Sequence, residues 1–381
     1  MNSETVLSNA QIVMPDCVIK GTVCLHDGKI KAVDEGHSQL PSVVDLDGDY
    51  LIAGLIELHT DNLEKHFSPR PTVSWPAMPA IFAHDAAVAS AGITTVFNAV
   101  ATGDVIQGSS RIQRFRHMTE AVRQAHASDL TRAEHLLHIR CEVTYEPTLE
   151  NFTSIVDDPL VKLVSVMDHS PGQRQFADIN KYREYYQGKY KLSDEEMEAQ
   201  IQRQTETSLR LGRHHRAAIA EMCRERGLSL ASHDDATIEH VEEAVADGMS
   251  IAEFPTTVGA ANASRHHGLH VLMGAPNVVR GFSHSGNVSA RELAQQGLLD
   301  TLSSDYVPNS LLHAAFVLAQ HIDHIQLPEA VAMVNLNPAD AAGLHDRGSI
   351  AVDKRADLIR VRCVDDVPVV RQVWRQGTRV V

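Results

Sequence analysis

The run LIELHTD, residues 55–61, opens on apolar side chains and closes on His59, Thr60 and Asp61. Seven more short apolar runs follow at intervals filled by longer amphipathic segments: ITTVFNAV (93–100), LLHIRCEV (136–143), VKLVSVMD (161–168), LSLASHD (228–234), SIAEF (250–254), HVLMGAPN (270–277) and LDTLSSD (299–305). Continuous apolar runs alternating with amphipathic stretches mark successive βα units, because a parallel strand is covered on both faces. Most of these runs end in or near an ionisable or polar residue. In a (β/α)8 barrel those ends face the mouth, where the chemistry is done. A doubly wound open sheet shows the same alternation but has less use for so many histidines and carboxylates at strand ends. The expected fold is therefore an α/β, TIM-like barrel.

Outside those units the pattern changes. Residues 3–52 read as short strands, with Asp27-Gly28 as a hairpin signal, and RGSIAVDKRADLIRVRC and VVRQVWRQGTRVV after residue 344 read as strands again. The simplest packing pairs both chain ends in one small β satellite. The expected division is 1–52 and 345–381 for the two halves of the satellite and 53–344 for the barrel.

Composition narrows the function. With 34 basic and 49 acidic residues the formal charge is −15, which argues against nucleic acid or an anionic membrane as partner. The opening MNSETVLSNA lacks a basic region followed by an apolar one, and no stretch reaches the length of a membrane span, so a cytoplasmic location is expected. Five scattered cysteines without a C-x-x-C pair read as free thiols. An isologous dimer is the default expectation for assembly.

His59 and Asp61 alternate by two, so on a strand they share a face and can grip one ion. Glu142, His233 and Asp305 end later runs and complete a ligand set if the barrel closes. His169 and Glu253 stand open between ligands and ordinary hydrogen-bonded groups. A carboxylate beside activated water can accept its proton, and Asp305 is the candidate general base. Cations collect after the run ends: Lys65 and Arg70, then Arg174, Lys181, Arg183, Lys189 and Lys191, then Arg280 with His284. In an acidic chain such grouping suggests a phosphate-rich ligand. The long segment 170–191, with Pro171-Gly172 and Gly188 as hinges and Tyr182, Tyr185 and Tyr186 to cover a sugar, is expected to be a mobile lid.

The run AGLIELHTDNLEKHFSPRP resembles the first-strand signature of the amidohydrolase superfamily, and RGSIAVDKRADLI resembles its C-terminal satellite strand. Asp61 stands where a second histidine is usual, and Glu57 where aspartate is usual. Together with HIRCEV, SVMDHSPGQRQF, YREYYQGKY, ASHDDAT, AEFPTT, MGAPNVVRG, SHSGNVSA and LSSDYVP, these departures resemble the diphosphatase branch that serves the carbon–phosphorus lyase pathway. That resemblance implies metal ligands at His59, Asp61, Glu142, His169, His233 and Asp305, with Glu142 as the bridging ligand. It leaves Glu253 open and finds no carboxylated lysine, since Lys162 begins its strand. It implies two divalent ions (zinc, manganese, iron or nickel) and a phosphorylated sugar substrate, α-D-ribose 1-methylphosphonate 5-triphosphate. It implies that water activated by those ions would attack the α-phosphorus, with Asp305 taking its proton and pyrophosphate leaving. Lys65, Arg70, Arg174, Arg183, Arg280 and His284 are the expected phosphate-binding groups. Two rival readings remain: cleavage of a C–N bond in a phosphorylated small molecule, and a non-catalytic scaffold subunit.

Overall fold

The computed structural model describes residues 4–70, 73–105, 111–176, 178–283 and 286–381. Five strands come first: β1 (Thr5–Val13), β2 (Val18–His26), β3 (Lys29–Glu35), β4 (Val44–Asp45) and β5 (Tyr50–Ala53). Eight follow as β6 (Leu55–Thr60), β7 (Ile93–Ala101), β8 (Glu134–Glu142), β9 (Val161–Met167), β10 (Ser229–His233), β11 (Ile251–Glu253), β12 (His270–Gly274) and β13 (Thr301–Ser303). The chain ends on β14 (Leu358–Val364), β15 (Val367–Arg375) and β16 (Thr378–Arg379).

Strands β6 to β13 form one sheet in sequence order, and a parallel bridge between Thr60 and Asp305 ties the first strand to the segment after the last. This is the expected (β/α)8 barrel. All nine residues of β7 and all six of β6 are buried, as a strand covered on both faces requires. Lys162 is exposed at the start of β9.

The second sheet has the order β16-β15-β14-β5-β1-β2-β3, with β4 on β1, so both chain ends build it. Leu7, Ile12, Val23, Leu25, Leu51 and Trp374 fill its core. The β2–β3 hairpin turns on Asp27 (φ 51°) and Gly28 (φ 74°), a pair of left-handed residues that Asp-Gly accommodates. Contacts divide the chain into two compact units, one of Met1–Asn98, Ala121–Leu136 and Met273–Val381, the other of Ala99–Glu120 and Leu137–Leu272.

The lid expectation fails on packing. Residues 170–191 carry a 3-10 turn at Arg174–Phe176 and a helix at Ile179–Tyr190, so Gly188 lies within a helix instead of at a hinge. Tyr182 and Tyr186 are buried against Phe176, Val105 and Met197, and burial pushes the Tyr182 hydroxyl up to about 12. Only Tyr185 remains exposed. Tyr182, Tyr186 and Tyr190 recur every fourth residue, which is one face of a helix and a core stripe.

A buried polar chain runs through the first unit. The Asn62 amide donates to His66 Nε2 (3.3 Å) and His84 Nδ1 (3.0 Å), and His84 Nε2 then donates to Asn98 Oδ1 (3.0 Å). The Asn98 amide donates to His135 Nδ1 (3.3 Å), whose Nε2 donates to Asp85 (3.2 Å). These bonds set the tautomers, because an amide NH2 can only donate. Burial, with His135 and His66 adding to it, holds His84 well below the usual imidazole value of 6.5. The folded state thus keeps His84 neutral while the unfolded chain takes up a proton. This contribution to stability is complete above pH 6.5 and erodes as the pH falls below it. The urea midpoint should fall over that acid range and His84→Gln should flatten the slope; equal slopes for the two proteins would refute the assignment.

Candidate metal centre

In the first unit the end of β6 is clamped by a carboxylate. Glu57, fully buried, accepts the His59 N–H (2.6 Å) on one oxygen and the Ser304 N–H (2.5 Å) on the other. Burial pushes its carboxyl up to about 7 even though these hydrogen bonds oppose the shift. The Asp305 N–H donates to the His59 carbonyl (3.2 Å), and Thr60 Oγ1 donates to the Asp305 carbonyl (2.6 Å). His59 and Asp305 are thereby fixed through their backbones. Asp305 sits at φ 52°, a left-handed conformation that aspartate tolerates. Asp61 Oδ1 is buried with no hydrogen-bond partner among the described residues. An orphaned carboxylate oxygen at a strand end suits a cation, which would satisfy it.

The second unit brings four chain segments together. Glu142 Oε2 accepts from His169 Nδ1 (2.5 Å), and its Oε1 accepts from Thr144 Oγ1 (2.7 Å) and from the His169 N–H (3.3 Å). Glu253 Oε2 accepts from His233 Nδ1 (2.7 Å) in the same manner. Each imidazole is thus held at Nδ1 by a carboxylate and turns Nε2 toward Asp234 Oδ2, at 3.8 Å from His169 and 3.3 Å from His233. Asp234 is left-handed at φ 57°. The ligand atoms of His169, His233 and Asp234 lie within 4.8 Å of one another. Two imidazoles and a carboxylate, with buried carboxylates orienting the rings, make a donor set suited to a divalent ion. Burial opposes charge on Glu142 and His169, but their mutual attraction prevails. It holds Glu142 below the usual carboxylate range and His169 above the usual imidazole range.

Glu142, expected to bridge two ions, has Oε2 on His169 Nδ1 and Oε1 on Thr144 Oγ1 and the His169 N–H. Two of the expected phosphate ligands are held by carboxylates instead. Arg174 does not reach for phosphate: it is 5% exposed and clamped between Asp235 and Glu243 (2.8 Å for the latter). Arg183 pairs with Glu198. Lys65, exposed, donates to the Tyr306 carbonyl (2.7 Å), and Arg70 and Arg280 are exposed, Arg280 lying over the Phe282 ring. His284 and the Lys189 side chain lie outside the described residues. Sequence reasoning missed Asp234 and Arg140. The signal for the first was the acidic pair directly after His233. For the second it was the alternation of His138, Arg140 and Glu142, three ionisable residues on one face of β8.

Residues 79–381 match the Amidohydrolase family. The chain belongs to the amidohydrolase family. Within it, the chain is 51% identical to the alpha-D-ribose 1-methylphosphonate 5-triphosphate diphosphatase of Escherichia coli (strain K12), over 98% of this chain and 100% of the relative. Solved structures share the fold at much lower identity. N-acetylglucosamine-6-phosphate deacetylase from Pasteurella multocida superposes with a TM-score of 0.62 at 15% identity, covering 99% of this chain and 100% of that one. Dihydropyrimidinase from Brevibacillus agri superposes with a TM-score of 0.58 at 14% identity, covering 100% and 95%. Among the described residues no helix is long and apolar enough to cross a membrane.

Proposed function

We propose that this chain hydrolyses α-D-ribose 1-methylphosphonate 5-triphosphate to the 5-phosphate and pyrophosphate, as a cytoplasmic step in the use of phosphonates as a phosphorus source. The observation that carries this reading is the 51% identity maintained along 98% of the chain to a diphosphatase of that substrate. The donor groups at the barrel strand ends support it.

His169, His233 and Asp234 would hold one divalent ion, with Glu142 and Glu253 fixing the rings. His59 and Asp61 offer donors for a second. A divalent ion there supplies Lewis acidity and lowers the pKa of water toward about 7. Asp305 accepts the proton of the water whose oxygen attacks the α-phosphorus, and the P–O bond to the pyrophosphate group breaks. Lys65, Arg70 and Arg280 remain the exposed cations for the outer phosphates.

The test is the purified protein supplied with zinc, manganese, iron or nickel and assayed on ribose and nucleoside 5-triphosphates beside amide substrates. Pyrophosphate should appear in step with the monophosphate product. Amide cleavage without pyrophosphate would favour the C–N hydrolase reading, and no turnover by metal-loaded protein would favour the scaffold.

A further inference from the structure

Arginines buried in this protein are held by carboxylates. Arg174 pairs with Asp235 and Glu243, Arg216 with Asp247 and Glu243, and Arg347 with Glu134 and Asp346. That is what burial demands, because a guanidinium stays charged in any protein interior and loses its hydration there. Arg140, which is half-buried, has no such carboxylate among the described residues. It lies on β8 between His138 and Glu142 on the face that carries the donor cluster, and it makes no ion pair among the described residues. Its Nε is buried without a hydrogen-bond partner. The one bond its guanidinium makes is a long one, from an Nη atom to His233 Nε2 at 3.5 Å.

That single partner is the atom a metal ion would claim. His233 donates through Nδ1 to Glu253, so Nε2 carries the lone pair that can either accept from Arg140 or bind a cation, not both. Filling the cluster therefore frees the guanidinium while adding positive charge beside it. An anion would then stabilise the pair. The rigid fork of arginine suits two oxygens on one centre, as a phosphoryl group presents them.

We propose that Arg140 is a phosphate-binding residue of the site, receiving oxygens of the substrate's triphosphate next to the ion held by His169, His233 and Asp234. This rests on the triphosphatase reading and adds to it the cation that lies at the donor cluster itself. Arg174, the expected phosphate ligand, is meanwhile committed to Asp235 and Glu243.

The experiment measures binding of inorganic tripolyphosphate to the metal-loaded protein by calorimetry, with metal content and turnover measured on the same samples, for wild type, Arg140→Gln and Arg140→Lys. Arg140→Gln should weaken tripolyphosphate binding on the order of 10²-fold, through loss of a charge-assisted forked contact, while metal affinity stays as in wild type. Arg140→Lys, which keeps the charge without the fork, should fall between them. Tripolyphosphate binding by Arg140→Gln at wild-type strength overturns the proposal, and so does a loss that merely tracks loss of metal, which would make Arg140 a support for His233. If the glutamine variant does not fold, wild-type binding by Arg140→Lys overturns the forked contact. Wild-type protein that neither binds tripolyphosphate nor releases pyrophosphate would remove the triphosphatase reading and Arg140's role with it. Wild-type protein that does both, beside variants that match it, would remove Arg140 alone.

Discussion

Asp305→Asn is expected to lower turnover on the order of 10²-fold or more while most of the metal stays bound, because it removes the proposed proton acceptor and nearly preserves shape. The structure makes this substitution an unusually clean one. The segment after β13 is held by backbone bonds, with the Asp305 N–H on the His59 carbonyl at 3.2 Å and Thr60 Oγ1 on the Asp305 carbonyl at 2.6 Å. None of these depends on the carboxylate. At φ 52° asparagine is as well tolerated as aspartate, whereas alanine would add strain to the loss of the base. Kinetics with metal analysis on the same preparation check the claim. Undiminished turnover with full metal content would assign the base to another residue.

The second large effect is expected at His233. His233→Ala removes one of the two imidazoles in the donor cluster and also the Nδ1–H that Glu253 accepts at 2.7 Å. Metal stoichiometry should fall, and turnover should drop on the order of 10³-fold or more, because activation of water depends on the ion. Glu253→Gln provides the graded comparison. Its amide oxygen can still accept from Nδ1–H but without charge, so metal affinity should weaken roughly ten- to hundred-fold, the usual cost of losing an orienting partner. An alanine variant that binds metal as wild type does would place the centre elsewhere. Equal losses in both variants would mean that Glu253 does more than orient the ring.

Arg174 and Arg140 show how charge reads in a sequence and how it is decided in a fold. Both are cations near the ends of barrel units. The sequence placed Arg174 in a basic segment and suggested a phosphate ligand. Its carboxylate partners, Asp235 and Glu243, stand 61 and 69 residues further along the chain, and no local pattern reveals that they fold against it. Arg140 lies inside a barrel strand among apolar and ionisable residues, yet it has no carboxylate partner among the described residues.

By itself the sequence determined the barrel, the satellite shared by both chain ends, and the strand ends that carry His59, Glu142, His233 and Asp305. Those features follow from periodicity: buried parallel strands must be apolar along their length, and polar groups that break the pattern at their ends have few reasons to be there. Tertiary structure alone decided what each polar group does. Asp234 joins the donor cluster because a left-handed residue just past β10 brings its carboxylate within reach of two imidazoles. Glu142 and Glu253 hold the rings, and Tyr182 and Tyr186 fill a core instead of covering a substrate. Hydrogen bonds and ion pairs act over a few ångströms between residues distant in sequence, so the partner that gives a side chain its role is chosen only when the chain has folded.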